Sequence, residues 1–486
     1  MPPEGDRIVE PATVQSLSNN EFRPRPNAMS NPGTSNTASI ESRAQLVEAI
    51  ARGCKPQSEW KIGTEHEKFG FVLPHAAEGR EPLSPPPYEP RGIGALLEKL
   101  QGPDWAPIMD GENLIGLKGQ NAQAGRAISL EPAGQFELSG APVVSIQETE
   151  AEMQAHFDQV RGPAAELGLG FLPFGFQPLW PRDAMPWMPK SRYAIMRNYM
   201  PKVGSLGLDM MTRTCTVQVN LDFSDEADMA RKMRVSLALQ PVATALFANS
   251  PFVEGKANGL LSNRARIWTD TDNQRSGQPS VFFEDGFGFE QYVDWALDVP
   301  MYFVSRDGKN IDVAGCSFRR WLAGDVQEPL KGLTPTVGDF EDHLTTVFPD
   351  VRLKQFLEMR GADAGKLEMM VAQSALWVGL LYDPATLEAA EKLVREQPWS
   401  VYQQLRAEVP RLGLDAAFPG GLKPFAKRVV ELAEQGLRAR VRNEAGYLDP
   451  LHLIADGGPN QAQYWLDLYN GAWGQSVKPL FTEAAI

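Results

Sequence analysis

Hydrophobic and polar positions alternate most cleanly over Thr212–Phe223. Thr214, Thr216, Gln218, Asn220 and Asp222 share one face, and Cys215, Val217, Val219, Leu221 and Phe223 share the other, which is the period of a strand. Trp60–Phe71, WKIGTEHEKFGF, reads the same way, with Glu65 and Glu67 on one side and His66 on the opposite one. Residues 108–142 hold IMDGENLIGLKG and ISLEPAGQFELSGAP, short mixed runs between glycine-bearing turns that predict antiparallel strands. In Val351–Asp363, VRLKQFLEMRGAD, Glu358 and Arg360 fall opposite Leu357 and Met359.

Helical spacing predicts a first helix from Ser42, with Leu46, Val47 and Ile50 inward and Pro56 as its stop. It also predicts a stripe of Ile93, Leu96, Leu97 and Leu100, a helix over 143–168 packed through Val144, Ile146, Met153 and Phe157, and helices around Ala227–Ala248. From Ala372 the pattern is helical to the end: Leu387–Glu396, Val401–Glu408, Phe425–Val441 and Ala462–Tyr469. Phe171–Gly207 keeps neither period, is heavy in Pro, Trp, Met and Arg, and predicts a binding loop or lid. The expected fold is therefore α+β, an antiparallel sheet surrounded by helices.

Composition refines the boundaries. Residues 1–38 are rich in Pro, Asn, Ser and Thr and predict a disordered tail, while 39–486 reads as a single domain with a helical C-terminal part over 372–486. A formal net charge of −14 argues against nucleic acid or an anionic membrane as partner. No apolar run approaches the ~20 residues of a membrane span. Cys54, Cys215 and Cys316 are too few and too scattered for a disulfide framework or a zinc site. Glu4, Asp6, Glu10 and Glu21 argue against an organelle transit peptide. A soluble protein of a reducing cytoplasm is expected.

The chemistry lies on the polar faces of the strands. Glu65 with Glu67, Glu131 with Gln135 and Glu137, Gln218 with Asn220, and Glu358 with Arg360 each share a face backed by apolar residues. Acids and amides of this kind suit hard cations, because Mg²⁺ and Mn²⁺ prefer oxygen ligands. Acids from separate strands could hold more than one ion and clamp nucleotide phosphates; a solvated acidic sheet face is the other reading of the same pattern. Walker A, G-x-G-x-x-G, nucleophile-elbow and H-E-x-x-H patterns are missing. Cys215 sits on the apolar parity of its strand, as a packed thiol does.

WKIGTEHEKFGF, ISLEPAGQFELSGAP, MPKVGSLGLDMMTRTCTVQVNLDFSDEADM, RARIWTDTDNQRSG and HLTTVFPDVRLKQFLEMRGAD together resemble the glutamate–cysteine ligase family of the plant and proteobacterial type, in order from about Ser42 onward. The resemblance implies a glutamine-synthetase-like antiparallel sheet forming an active-site basin. It implies ATP-dependent ligation of L-glutamate, through a γ-acyl phosphate, to the amine of L-cysteine, the first step of glutathione synthesis. It further implies Mg²⁺ or Mn²⁺ on Glu65, Glu67, Glu131, Glu137 and Glu358, with Glu67 and Arg360 catalytic. Arg264, Arg266 and Trp268 match a glutamate-binding stretch, Gln218 and Asn220 face the same basin, and Lys202 is a candidate substrate or phosphate contact. L-Glutamate, L-cysteine and ATP are then the partners of a monomer or weak homodimer. His66, on the far side of its strand, is assigned a structural role.

One departure stands out. Plant members carry a redox-sensitive cysteine pair flanking the segment matching Asp312–Glu328, but Val313 stands where the first cysteine is expected and none lies near Gln327. Plant-style disulfide switching is expected to be absent. A γ-glutamyl ligase with another amine acceptor and a metal-dependent γ-glutamyl hydrolase remain as alternatives.

Overall fold

A computed structural model describes residues 36–326 and 328–486. The predicted disordered tail falls almost entirely outside the described residues.

Among these residues nine strands build the main sheet. They are β1 (Ile62–Val72), β2 (Trp105–Asp110), β3 (Asn113–Gly119), β4 (Ala127–Leu130), β5 (Phe136–Ser139), β6 (Leu169–Leu172), β7 (Thr216–Leu221), β8 (Val351–Leu353) and β9 (Leu357–Asp363). Their order is β8-β9-β7-β1-β5-β4-β3-β2, with β6 continuing the pairing along the second half of β1. Every pairing in this sheet is antiparallel. β1 is central because it pairs β5 on one edge and β7 on the other.

Period-two parity sends the apolar positions of these strands to one side. Val217, Val219, Leu221, Leu357 and Met359 are buried there, in a core shared with helices α2 (Glu226–Leu246) and α3 (Leu367–Leu381). Helix α1 (Ile146–Glu166) covers the β1 side of the same face, through Met153 and Phe157. From Met233 to Leu246 every α2 side chain except the buried polar ones is apolar or small, and all are buried. A helix hydrophobic on all sides belongs inside the protein. Each fully buried Leu or Val contributes about 1.5–3 kcal/mol relative to exposure. Among the described residues no helix is long and apolar enough to cross a membrane.

One sequence reading changes. Phe171–Gly207 is not one loop: it contains the helix Ser191–Tyr199 and ends where the helix Gly207–Arg213 begins. Val351–Asp363 forms a hairpin of β8 and β9. Within β9 the register slips: Met359 faces Val219 and Ala362 faces Val217, so Arg360 and Gly361 together oppose Gln218. This β-bulge reverses the parity of everything after it. Ala362 joins the apolar core, and Asp363 turns to the polar face opposite Thr216.

Candidate active site

The polar face of the sheet is a contiguous field of side chains, and register explains why. Glu65 lies opposite Gln218, Glu67 opposite Glu137, Glu358 opposite Asn220, and Arg352 opposite Glu358. Directly opposed residues stand on the same side of a sheet, close enough to interact. The Gln218 and Asn220 amides donate to the two oxygens of Glu65, at 3.3 and 3.2 Å. Glu67 accepts the backbone N–H of Thr216 at 2.9 Å, and Glu137 accepts the Ser139 hydroxyl at 2.9 Å. Between β4 and β5 a tight turn places Glu131 and Gln135. It closes through Glu131 N–H to the Gln135 carbonyl at 2.9 Å and requires a positive φ of 83° at Gly134.

These carboxylates are short of positive charge. Burial, then the neighbouring Glu358, raises the Glu65 carboxyl above its ordinary range. Burial and Glu131 push Glu67 up to about 8 against the pull of Arg264. Burial, followed by Glu131, Glu65 and Glu67, holds Glu137 well above the usual carboxylate range. A divalent cation would relieve all three. As they stand the acids form a row: among the described residues no three acid, imidazole or thiolate groups converge as a ready-made metal cluster. The donor set fits a hard cation by its chemistry and by this shortage of charge.

Glu358 is different. Burial alone would raise it, but Arg352, Lys354 and Arg360 outweigh burial and hold it well below the carboxylate range. Arg352 binds it with two N–H groups at 2.7 and 2.8 Å, and Arg360 donates to both Glu358 and Gln218. The Arg360 carbonyl, turned aside by the bulge, accepts from Arg264 Nη2 at 2.9 Å. Two buried donors in this region, Arg264 Nε and the Trp268 indole N–H, have no protein partner among the described residues. Unpaired buried donors are costly, so they mark a place for a polar ligand.

A cavity of about 130 Å³ opens over this field, lined by Glu67, Glu131, Arg264, Trp268 and Arg360. Glu65, Glu137, Gln218, Asn220 and Glu358 lie buried in the same sheet face around it. Arg266 and Lys202 do not join them. Arg266 is exposed and donates to Thr269 at 2.8 Å. Residues two apart on the helix Asn263–Ile267 point nearly opposite ways, so with Arg264 inward Arg266 must face out. Lys202 is exposed at the end of the turn Met200–Lys202. Sequence reasoning missed Arg352, whose link to Glu358 needs the hairpin, and Thr345 and Thr346, which complete the lining from outside the sheet together with Arg192 and Tyr193. Arg192 and Tyr193 belong to the Phe171–Gly207 stretch that the sequence marks as a binding loop.

His66 and Cys215 lie where parity sent them. Both are buried, His66 pairing in register with Leu138 and Val217. Burial, then Lys68, keeps His66 neutral by lowering it well below its ordinary value. Burial and Glu67 push the Cys215 thiol far up, as for an inert core thiol.

The family model for glutamate-cysteine ligase family 2 matches residues 61–483. The chain belongs to glutamate-cysteine ligase family 2. Within family 2 it is 52% identical over 444 residues to a chloroplastic glutamate–cysteine ligase of Brassica juncea, covering 91% of this chain and 84% of that one. It is 53% identical over 444 residues to the chloroplastic enzyme of Nicotiana tabacum, covering 91% and 82%. A solved structure of glutamate–cysteine ligase from Francisella tularensis in complex with AMP superposes with a TM-score of 0.50 at 11% identity, covering 87% of each chain. That likeness concerns the fold, and it agrees with the expected α+β architecture. Nothing in these matches favours a hydrolase or another acceptor.

The family 2 relatives correct one expectation. They are chloroplastic proteins, which points to a plastid rather than to the cytoplasm.

Proposed function

We propose that the basin between Glu67, Glu131, Arg264 and Arg360 is where this chain joins L-glutamate to L-cysteine at the expense of ATP. The chain is a ligase and forms γ-glutamylcysteine. The γ-carboxylate of glutamate attacks the γ-phosphorus of ATP, giving γ-glutamyl phosphate and ADP. The cysteine amine then attacks the acyl carbon, the C–N bond forms, inorganic phosphate leaves, and the amine loses its proton.

The observation that carries the site assignment is the juxtaposition of charge-starved carboxylates with an inward arginine pair. Glu65, Glu67, Glu131 and Glu137 would hold Mg²⁺, or Mn²⁺, which supplies charge neutralisation for the phosphates when bound. Glu358, already neutralised by three cations, serves to orient Arg360. Arg360 faces the transferring phosphoryl group and stabilises the charge that gathers on it. Arg264, with its unpaired Nε, and Trp268 hold the glutamate carboxylate. Gln218 and Asn220 fix the Glu65 carboxylate and act on substrate through it. Residues 39–486 form the catalytic unit, supported by the core that joins sheet and C-terminal helices.

Glutamate- and cysteine-dependent ADP formation tests the reading, with 2-aminobutyrate as a competing acceptor. Glu67→Gln and Arg360→Ala are expected to abolish most of it. Near-normal turnover by either variant would overturn that residue's role.

A further inference from the structure

Arg275 is a fully buried charged residue that the ligase chemistry leaves unused. Its guanidinium lies over the Tyr302 ring, 3.6 Å from the ring centre, and its three nitrogens reach three different acceptors. Nε donates to Asp272 at 2.6 Å, Nη1 to the Thr346 carbonyl at 3.0 Å, and Nη2 to the Pro300 carbonyl at 2.5 Å. Asp272, itself 1% exposed, balances the charge. The Arg275 carbonyl accepts the Phe348 N–H at 2.7 Å, where Ser276–Gly277 runs parallel to Phe348–Pro349. All three acceptors adjoin the basin: Asp272 follows Trp268 along the chain, Pro300 precedes Phe303, and Thr346 is itself a lining residue.

The strip Thr345–Phe348 is the chain leaving the helix Val337–Leu344. Carbonyls at a helix end have no partner within the helix and need donors from elsewhere. Two buried arginines supply them here. Arg352 donates to the carbonyls of Thr345 and Val347 at 2.9 and 3.3 Å, and Arg275 donates to that of Thr346. Arg352 also binds Glu358, the partner of Arg360. At the end of the strip the Phe348 ring stands 5.9 Å from the Arg360 guanidinium and 5.9 Å from the Trp268 ring. The strip therefore bears on the phosphoryl arginine and on the indole beside it.

We propose that Arg275 is a positioning residue for phosphoryl transfer: it holds the Thr345–Phe348 strip so that Phe348 fixes the Arg360 guanidinium toward the transferring group. It touches no substrate and acts through the strip. A single donor would satisfy the Thr346 carbonyl; a planar fork does more, locking Asp272, Pro300 and Thr346 at fixed directions from one another. Lysine keeps the charge beside Asp272 and replaces the fork by one nitrogen, so Arg275→Lys removes the geometry and spares the charge. The proposal rests on the ligase reading of the basin and on the role of Arg360 in it.

The test is a double-mutant cycle on kcat, measured with the full chain as glutamate- and cysteine-dependent ADP formation at saturating substrates. Arg275→Lys is expected to lower kcat about tenfold or more, since a displacement of about 1 Å at a reacting centre can cost about 100-fold. In the Arg360→Ala background the same change should lower kcat by less than about twofold, because the group through which it acts is gone. A purely structural Arg275 would lower the melting temperature with kcat per folded molecule unchanged, or would lower kcat by equal factors in both backgrounds. Either result would overturn the proposal. Phe348→Leu keeps the backbone bond to Arg275 and removes the ring beside Arg360, so it should show the same coupling. It keeps the test decisive if Arg275→Lys does not fold, and equal losses with and without Arg360 would then count against the proposal. Near-normal turnover by Arg360→Ala alone would instead sink the reading of the basin, and the role of Arg275 with it.

Discussion

Replacing Glu67 by Gln should stabilise the metal-free protein at alkaline pH while destroying its activity. Gln keeps the shape and can still accept the Thr216 N–H, but it never becomes an anion. In the parent protein burial and Glu131 lift the Glu67 carboxyl from 4.5 to about 8. The folded state then binds this proton more tightly than the unfolded chain does, so the sign follows from linkage. Below about pH 4.5 both states are protonated and the variant gains nothing. As pH rises toward 8 the unfolded chain ionises first and the parent loses stability; above 8 the loss is complete. At about 1.4 kcal/mol per pH unit the full difference is about 5 kcal/mol. Glu67 is only partly buried and opens onto the basin, where water screens it, so about 2–5 kcal/mol is expected. Urea unfolding in EDTA at pH 5, 7 and 9 measures it, and Mg-ATP should restore stability to the parent more than to the variant. A variant less stable than the parent at pH 9, or a gap that does not widen with pH, would refute the reasoning.

Three further outcomes are expected. Arg360→Ala should slow ADP formation by about 100-fold or more, the scale of a lost transition-state donor, as read by steady-state assay. Arg264→Ala should raise KM for glutamate about tenfold or more, since one charged contact is worth about 1.5–3 kcal/mol; Arg266→Ala, on the outer side of the same helix, should leave it nearly unchanged. Activity after oxidant and after dithiothreitol should agree, because the three cysteines are unpaired and Val313 replaces the first member of the plant pair. A large reversible loss that maps to a Cys316 disulfide would contradict this.

What could be read from the chain divides by the range of the forces involved. The side on which Glu65, Glu67, Gln218 and Asn220 fall needs only a two-residue period, and the structure keeps it. Cys215 and His66 were assigned to the core on the same ground, and both are buried. Arg264 and Arg266 could not be separated, because alternation holds in strands and these residues sit on a helical turn. Arg352 stayed hidden because it reaches Glu358 across a hairpin whose turn the pattern did not reveal. Thr345, Thr346, Arg192 and Tyr193 come to the basin through loops and helices outside the sheet, by tertiary packing that no local period encodes.

The bulge at Arg360 and Gly361 carries a consequence for how this site can change over time. Residue identity can be altered one substitution at a time, with losses that are gradual and reversible. An extra residue in a strand is a matter of counting, and only a deletion removes it. That deletion would leave Ala362 opposite Val217 and Asp363 opposite Thr216, but it would restore regular pairing at Arg360 and release the carbonyl that Arg264 grips. The acids of β1 and β5 can therefore change one at a time, whereas the hold of Arg264 on the Arg360 carbonyl is kept or lost with the bulge in a single step.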